Sequence, residues 1–241
     1  MNLLISKFIY PEDMDRIEQV LKSFSDLAIQ LAFFKRADFM NFDHLKIKEC
    51  ASQLNISIPI IHAPTCDVFH ENFINILKTI KEIYKVKIIS IHPQRGVVEE
   101  ALKKLEELKN KILALDIILA YENFYPTKHA KEKWIYLPED MYERFASPNL
   151  KITYDCAHTL VDDNTLEKFE KILDKVEVVH LSNRSGGREH LPIEQGEFPI
   201  FGLLDILSRK NFQGYIVLEY MPEYEFKLFE DLEKVKKYIE A

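Results

Sequence analysis

Six histidines and carboxylates stand where short apolar runs end: His62 after Ile60-Ile61, His92 after Ser90-Ile91, Glu122 after Ala120-Tyr121, Asp155 after Thr153-Tyr154, His180 after Val178-Val179 and Glu219 after Val217-Leu218. All six are metal-ligand side chains. Glu122, Asp155, His180 and Glu219 form a carboxylate-rich set that suits a divalent cation of intermediate hardness, Mn²⁺, Co²⁺ or Mg²⁺. His62 and His92 beside Glu122 form a nitrogen-rich set that suits Zn²⁺. His158, three residues beyond Asp155, and His190 would hold a third metal or bind substrate oxygens.

Taken singly, each residue has an ordinary reading as a hydrogen-bonded loop residue or a helix cap. Asp155 reads as a cap especially well, because Ala157 to Leu166 could start a helix. The joint pattern is what counts, since independent caps would not avoid Ser, Thr and Asn at all six positions. His44, His70 and His129 fall in helix or mid-loop contexts and read as surface residues.

The elements that must position these groups repeat along the chain. Strand-like runs occur at Leu3–Ser6, Leu27–Ala32, Ile56–His62, Val86–His92, Asp116–Glu122, Lys151–Asp155, Val176–Leu181 and Tyr215–Glu219. Helical spacing fills the intervals, as in Phe73/Ile76/Leu77/Ile80 and Val98/Leu102/Leu105/Leu108. A strand followed by a helix about every 30 residues, eight times over, predicts a single (β/α)₈ TIM barrel spanning residues 1–241. A doubly wound open sheet is the alternative architecture, weakened by the lack of a phosphate-binding glycine loop after the first strand. In a parallel barrel the C-terminal strand ends share one rim, so the six groups converge on one mouth.

Two connections are long, Asn123–Pro138 and Ser182–Pro199, and both follow strand ends where barrel sites form. Four of the six glycines fall in rim loops, namely Gly96, Gly186, Gly187 and Gly196. Three of the seven arginines, Arg95, Arg184 and Arg188, do too and are candidate substrate-binding residues. The segment Tyr125–Trp134 mixes basic and aromatic residues, and Trp134 is a further candidate substrate contact.

Composition bounds the partners. A net charge of −7 argues against coating nucleic acid through bulk charge. No segment approaches the roughly 18 uninterrupted apolar residues of a membrane span. Cys50, Cys66 and Cys156 show no pairing motif, and the N-terminal residues do not read as a signal peptide, so a cytoplasmic location is expected.

In combination, His62-Ala-Pro, His92-Pro, Glu122-Asn, Asp155-x-x-His158, His180-x-x-Asn183, His190-x-Pro192 with Gly196, and Glu219 resemble the xylose-isomerase-like barrels. That family includes sugar phosphate isomerases/epimerases and endonuclease IV. The resemblance implies that Glu122, Asp155, His180 and Glu219 bind the catalytic metal. In an isomerase or epimerase, Glu122 and Glu219 would then be the acid/base pair for proton transfer α to a carbonyl, on a sugar or sugar phosphate. Residues such as His158 and Arg188 would orient substrate oxygens. In an endonuclease IV-like hydrolase of abasic DNA, His62 and His92 would complete a zinc site with Glu122, and His158 and His190 would hold a third zinc. The chain departs from that second pattern at Arg188, where the pattern has an aspartate. Its loop after Ser182 is also shorter.

Overall fold

The computed structural model describes residues 1–92, 98–123 and 148–240. Eight parallel strands close a barrel: β1 (Asn2–Ile9), β2 (Ala28–Phe33), β3 (Ser57–His62), β4 (Ile88–Ile91), β5 (Ile118–Glu122), β6 (Leu150–Asp155), β7 (Val176–Leu181) and β10 (Tyr215–Leu218). A two-stranded hairpin of β8 (Asn183–Ser185) and β9 (Arg188–Leu191) lies between β7 and β10. The barrel order β1-β10-β7-β6-β5-β4-β3-β2 follows the chain, with the first and last barrel strands paired from Asn2↔Tyr215 to Ile5↔Leu218. The predicted TIM barrel is therefore the fold. His92 and Glu219 sit one residue past their strands, and β1 continues to Ile9 because its ladder with β2 runs on to Phe33.

The strands read as near-continuous apolar runs because both faces are covered. The outer faces pack against helices such as Phe73–Tyr84, which buries Phe73, Ile76, Leu77 and Ile80. The inner faces meet in a separate small core of Leu4, Ile60, Ile88, Ala120, Val178 and Val217. Successive side chains alternate across a strand, so the residue two positions on points the same way. Two positions on from those six stand Ser6, His62, Ser90, Glu122, His180 and Glu219, all buried. The apolar plug is thus the floor, and the chemistry-bearing residues form the next layer toward the mouth.

Two local expectations need correction. No helix begins at Ala157: Asp155 Oδ1 accepts from the backbone N–H of Ala157 and His158, making a turn, and the helix runs over Thr165–Ile172. A second turn sets that start, with Asp162 N–H donating to Thr165 Oγ1 and Asn164 N–H to Asp162 Oδ1. His44 is not a surface residue. It is buried among Phe33, Phe39, Phe42 and Tyr84, with its ring nitrogens 2.9 Å from Tyr84 Oη and 2.8 Å from the Phe39 carbonyl. His70 is half-buried, and its Nδ1 accepts from Asn72 N–H. His129 and the connection from 124 to 138 lie outside the described residues.

The other long connection is ordered by its glycines and by Asn183. Gly186 and Gly187, both at positive φ, make the hairpin turn between Ser185 and Arg188. The Asn183 carboxamide donates to the carbonyls of Ile193 and Phe198 and accepts from the N–H groups of Arg184 and Phe198. A Cβ on Gly196 would overlap the Asn183 carboxamide and the Arg184 carbonyl. Gly196→Ala is therefore expected to cost roughly 1–3 kcal/mol. That corresponds to a fall in Tm of roughly 3–10 °C, read by thermal denaturation; an unchanged Tm would count against this packing.

Candidate metal centre

Strands β3, β5, β6, β7 and β10 deliver their ligand-type side chains to one buried point. Nδ1 of His180 lies 2.9 Å from Glu219 Oε2, 3.2 Å from Glu122 Oε1 and 3.5 Å from Asp155 Oδ2. On its other side Glu122 Oε2 is 3.4 Å from His62 Nε2. Ligand atoms of His62, Glu122, His180 and Glu219 all lie within 4.8 Å of one another, and so do those of Asp155, His158 and His190. The two groups adjoin, because Asp155 Oδ2 is shared between the surroundings of His180 and His158. His92 lies beside His62, with ring centroids 4.5 Å apart and planes tilted by 60°, but belongs to neither close group.

Local contacts aim each ligand. His62 Nδ1 is 3.1 Å from the Ala63 carbonyl, which holds a proton there and turns Nε2 inward. Asp155 Oδ1 is occupied by its turn, leaving Oδ2 for the site. Asn123 ties the tips of β5 and β6 together: its side chain accepts from Asp155 N–H and donates to the Asp155 carbonyl and to Thr159 Oγ1. Glu219 Oε1 accepts from Ser6 Oγ and from the Gln30 amide, which leaves Oε2 facing His180. His190, at φ 52 on the hairpin, reaches back so that its Nε2 is 3.2 Å from His158 Nε2 and its Nδ1 is 3.3 Å from Ser182 Oγ.

The electrostatics follow from carboxylates and imidazoles sharing a dry space. Burial alone would push the His180 imidazolium toward deprotonation, but Glu219, Asp155 and Glu122 outweigh it and hold its pKa well above the usual value. His158 behaves likewise: burial opposes its charge, yet Asp155 and Glu122 raise its pKa to about 9. Burial and the neighbouring His62 lower His92 to about 3, so it is a neutral imidazole. Burial opposes the ionised forms of Glu122 and Glu219, yet the imidazoles around them hold both carboxylates below their usual range.

This set fits a divalent cation. Glu122 Oε2 and Asp155 Oδ2 are buried and make no hydrogen bond, a costly state for an acceptor. Carboxylate oxygens and imidazole nitrogens are donors suited to Mn²⁺, Co²⁺ or Zn²⁺. A cation among them would complete what protons on the imidazoles otherwise supply.

The site opens into a cavity of about 390 Å³, with Glu122, His158, Glu189, His190 and Glu219 among its lining. Phe8, Tyr10, Phe34, Tyr220 and Met221 form apolar walls around the mouth. Arg188 is exposed on the hairpin and does not line the cavity. Arg184 is buried, with Nη1 donating to the Thr159 carbonyl. Arg95 and Trp134 lie outside the described residues.

Sequence reasoning missed several contributors. Glu189 Oε2 lies 3.8 Å from His158 Nε2, one position along from the arginine that drew attention. Ser6 and Gln30 sit within their strands and do not end them. A signal was available for Gln30, since a lone Gln in Ala-Ile-Gln-Leu-Ala-Phe interrupts a run that is otherwise apolar.

The fold and site together define a (β/α)₈ barrel with a clustered His/carboxylate site at its C-terminal mouth. The chain belongs to the xylose isomerase-like TIM barrel family, whose sequence model matches residues 28–238. No curated protein matches the chain in sequence. Among solved structures, a D-tagatose 3-epimerase-like protein superposes with a TM-score of 0.72 at 16% identity, over 100% of this chain and 97% of that one. An AP endonuclease of family 2 from Brucella melitensis gives 0.69 at 13% identity, over 94% and 97%. Endonuclease IV from Thermus thermophilus gives 0.61 at 15% identity, over 100% and 99%. At these identities the likeness is one of fold.

Proposed function

We propose that the protein is a divalent-metal-dependent isomerase or epimerase acting on a small sugar or related hydroxy-carbonyl compound. The observation that carries this reading is the cavity itself. A space of about 390 Å³ with apolar walls, into which both Glu122 and Glu219 open, suits a small molecule and not a duplex. Glu189 adds a third carboxylate to the lining, which favours a neutral polyol over a phosphodiester.

A divalent cation held by Glu122, Asp155, His180 and Glu219 would polarise the substrate carbonyl and the adjacent hydroxyl. Glu122 and Glu219, both ionised, are the base candidates. One takes the proton from the carbon next to the carbonyl; the other, having first taken a proton from a substrate hydroxyl, returns it to the carbon skeleton, and the first then gives its own proton to that oxygen, so both end ionised again. His62, His92 and His158 offer ring nitrogens to substrate oxygens. The aromatic walls exclude water, so the proton in transit is not lost to solvent.

A second reading rests on the other close group. His158 Nε2 and His190 Nε2 face each other at 3.2 Å beside Asp155, an arrangement that a further cation would join. With His62 and His92 as additional ligands, clustered zinc ions would suit hydrolysis of abasic DNA. Elemental analysis of the freshly purified protein separates the two. About one exchangeable manganese, cobalt or magnesium per chain, with turnover in a ketose screen, supports the isomerase. Two or three tightly held zinc ions, with salt-sensitive cleavage of an abasic duplex, would replace it.

Arg188 would reach substrate only by folding over the mouth. Under that role Arg188→Ala raises KM roughly tenfold for a phosphorylated sugar and leaves the unphosphorylated one unchanged. Unaltered KM for both substrates would remove Arg188 from the site.

A further inference from the structure

We propose that Gln30 is a positioning residue that fixes which nitrogen of His180 is offered to the cation and, in the same contact, which oxygen of Glu219. This rests on the metal-centre reading above. Gln30 is fully buried on β2, inside the barrel, and it touches two ligands from two other strands. Its amide nitrogen lies 3.2 Å from Glu219 Oε1 and 3.3 Å from Ser6 Oγ, and its amide oxygen lies 3.1 Å from His180 Nε2.

The orientation follows from elementary hydrogen-bond chemistry. Glu219 Oε1 is an acceptor that already takes the Ser6 hydroxyl, so the Gln30 NH₂ group must face it. The Gln30 carbonyl is thereby turned to His180, and a carbonyl only accepts, so Nε2 of His180 must carry a proton. Nδ1 is then the nitrogen presented to Glu219 Oε2, Glu122 Oε1 and Asp155 Oδ2. A lone pair facing three carboxylates requires a cation between them, either a proton or a metal. Reversing the Gln30 amide would put its oxygen against Glu219 and a donor against Nε2, which would move the His180 proton to the wrong nitrogen.

Ser6 completes the arrangement without touching His180. Its hydroxyl donates to Glu219 Oε1 and accepts from Gln30, so Oε1 is held by two donors and Oε2 alone is left for the site. Partners behind metal ligands commonly set affinity by one to two orders of magnitude.

The test is a titration of metal-free protein with zinc alone against a competing chelator, paired with ¹⁵N–¹H spectra of the zinc-loaded protein. Gln30→Leu is expected to weaken zinc binding about 10- to 100-fold. It should also move the buried His180 Nε2–H resonance out of its hydrogen-bonded position. Ser6→Ala should weaken binding less, about threefold to tenfold, and leave that resonance in place. Gln30→Met, closer in shape, takes the place of the leucine variant if that fails to fold. Native zinc uptake with unchanged affinity and an unchanged Nε2–H resonance in the Gln30 variant would overturn the role of Gln30 alone. Native protein that takes up no divalent cation would overturn the metal-centre reading with it.

Discussion

Glu219→Gln is expected to lower kcat/KM by about 10³-fold or more. The amide has nearly the size of the carboxylate, and its oxygen can still accept from Ser6 and Gln30 as Oε1 does now. What changes is the other atom: an NH₂ group replaces Oε2, 2.9 Å from Nδ1 of His180. That group neither binds a cation nor takes a proton from carbon. Steady-state turnover of an active sugar, with metal content measured on the same sample, gives the answer. A variant that keeps its metal and loses turnover assigns Glu219 to proton transfer. One that loses both assigns it first to holding the cation. Turnover within tenfold of native would end the acid/base pair proposed here.

Removing the cation should have the next largest effect, and pH should sharpen it. A ligand at a thousand times its Kd stabilises by about 4 kcal/mol. For a chain of this size that is roughly 8–16 °C in Tm. In the metal-free protein, His158 has its pKa raised to about 9 by Asp155 and Glu122 against the penalty of burial. A raised pKa stabilises the folded state below the ordinary histidine value of about 6.5, and that contribution is lost as pH climbs through 9. The metal-loaded protein runs the other way, because a cation held by Glu122, Asp155, His180 and Glu219 displaces the proton on His180, repels the one on His158 beside the same carboxylates, and binds more tightly as both leave. The Tm gap between loaded and chelated protein is therefore expected to widen from pH 6.5 to pH 9. Scanning calorimetry of both forms across that range checks it, and a gap that narrows would contradict the shared-proton picture.

The barrel was legible because its strands are buried on both faces and end in polar residues of one chemical kind. The alternation that places Ala120 in the floor and Glu122 in the site is visible in five letters of sequence. Asp155 shows the limit of such reading: in place of the helix cap it suggested, Oδ1 closes a local turn, while Oδ2 faces the imidazoles. Gln30 was not singled out because it does not end its strand, and Ser6, which ends the run Leu3–Ser6, because a hydroxyl is not an obvious metal ligand; only the closed barrel reveals which polar residues face inward. His44 misled because a polar residue at the start of a helix usually meets water, whereas here the Tyr84 hydroxyl and the Phe39 carbonyl take its place. Glu189 had no periodic signal at all, since a hairpin folded back over the mouth brings it there.

The inward layer above the apolar floor also governs when the site comes into being. His62, Glu122, His180 and Glu219 come from four strands, and none is a near neighbour of another in the chain. A zinc finger can begin folding around its ion because its ligands sit in close pairs. Here a partly assembled barrel presents scattered single ligands, each paying its own loop-closure entropy before a second can help. A cation held by these four would accordingly be a latecomer in biogenesis, captured tightly only once β10 has docked against β1 and β7. Metal uptake during refolding would then track the final ring closure, which makes it a reporter of the finished barrel instead of its nucleus.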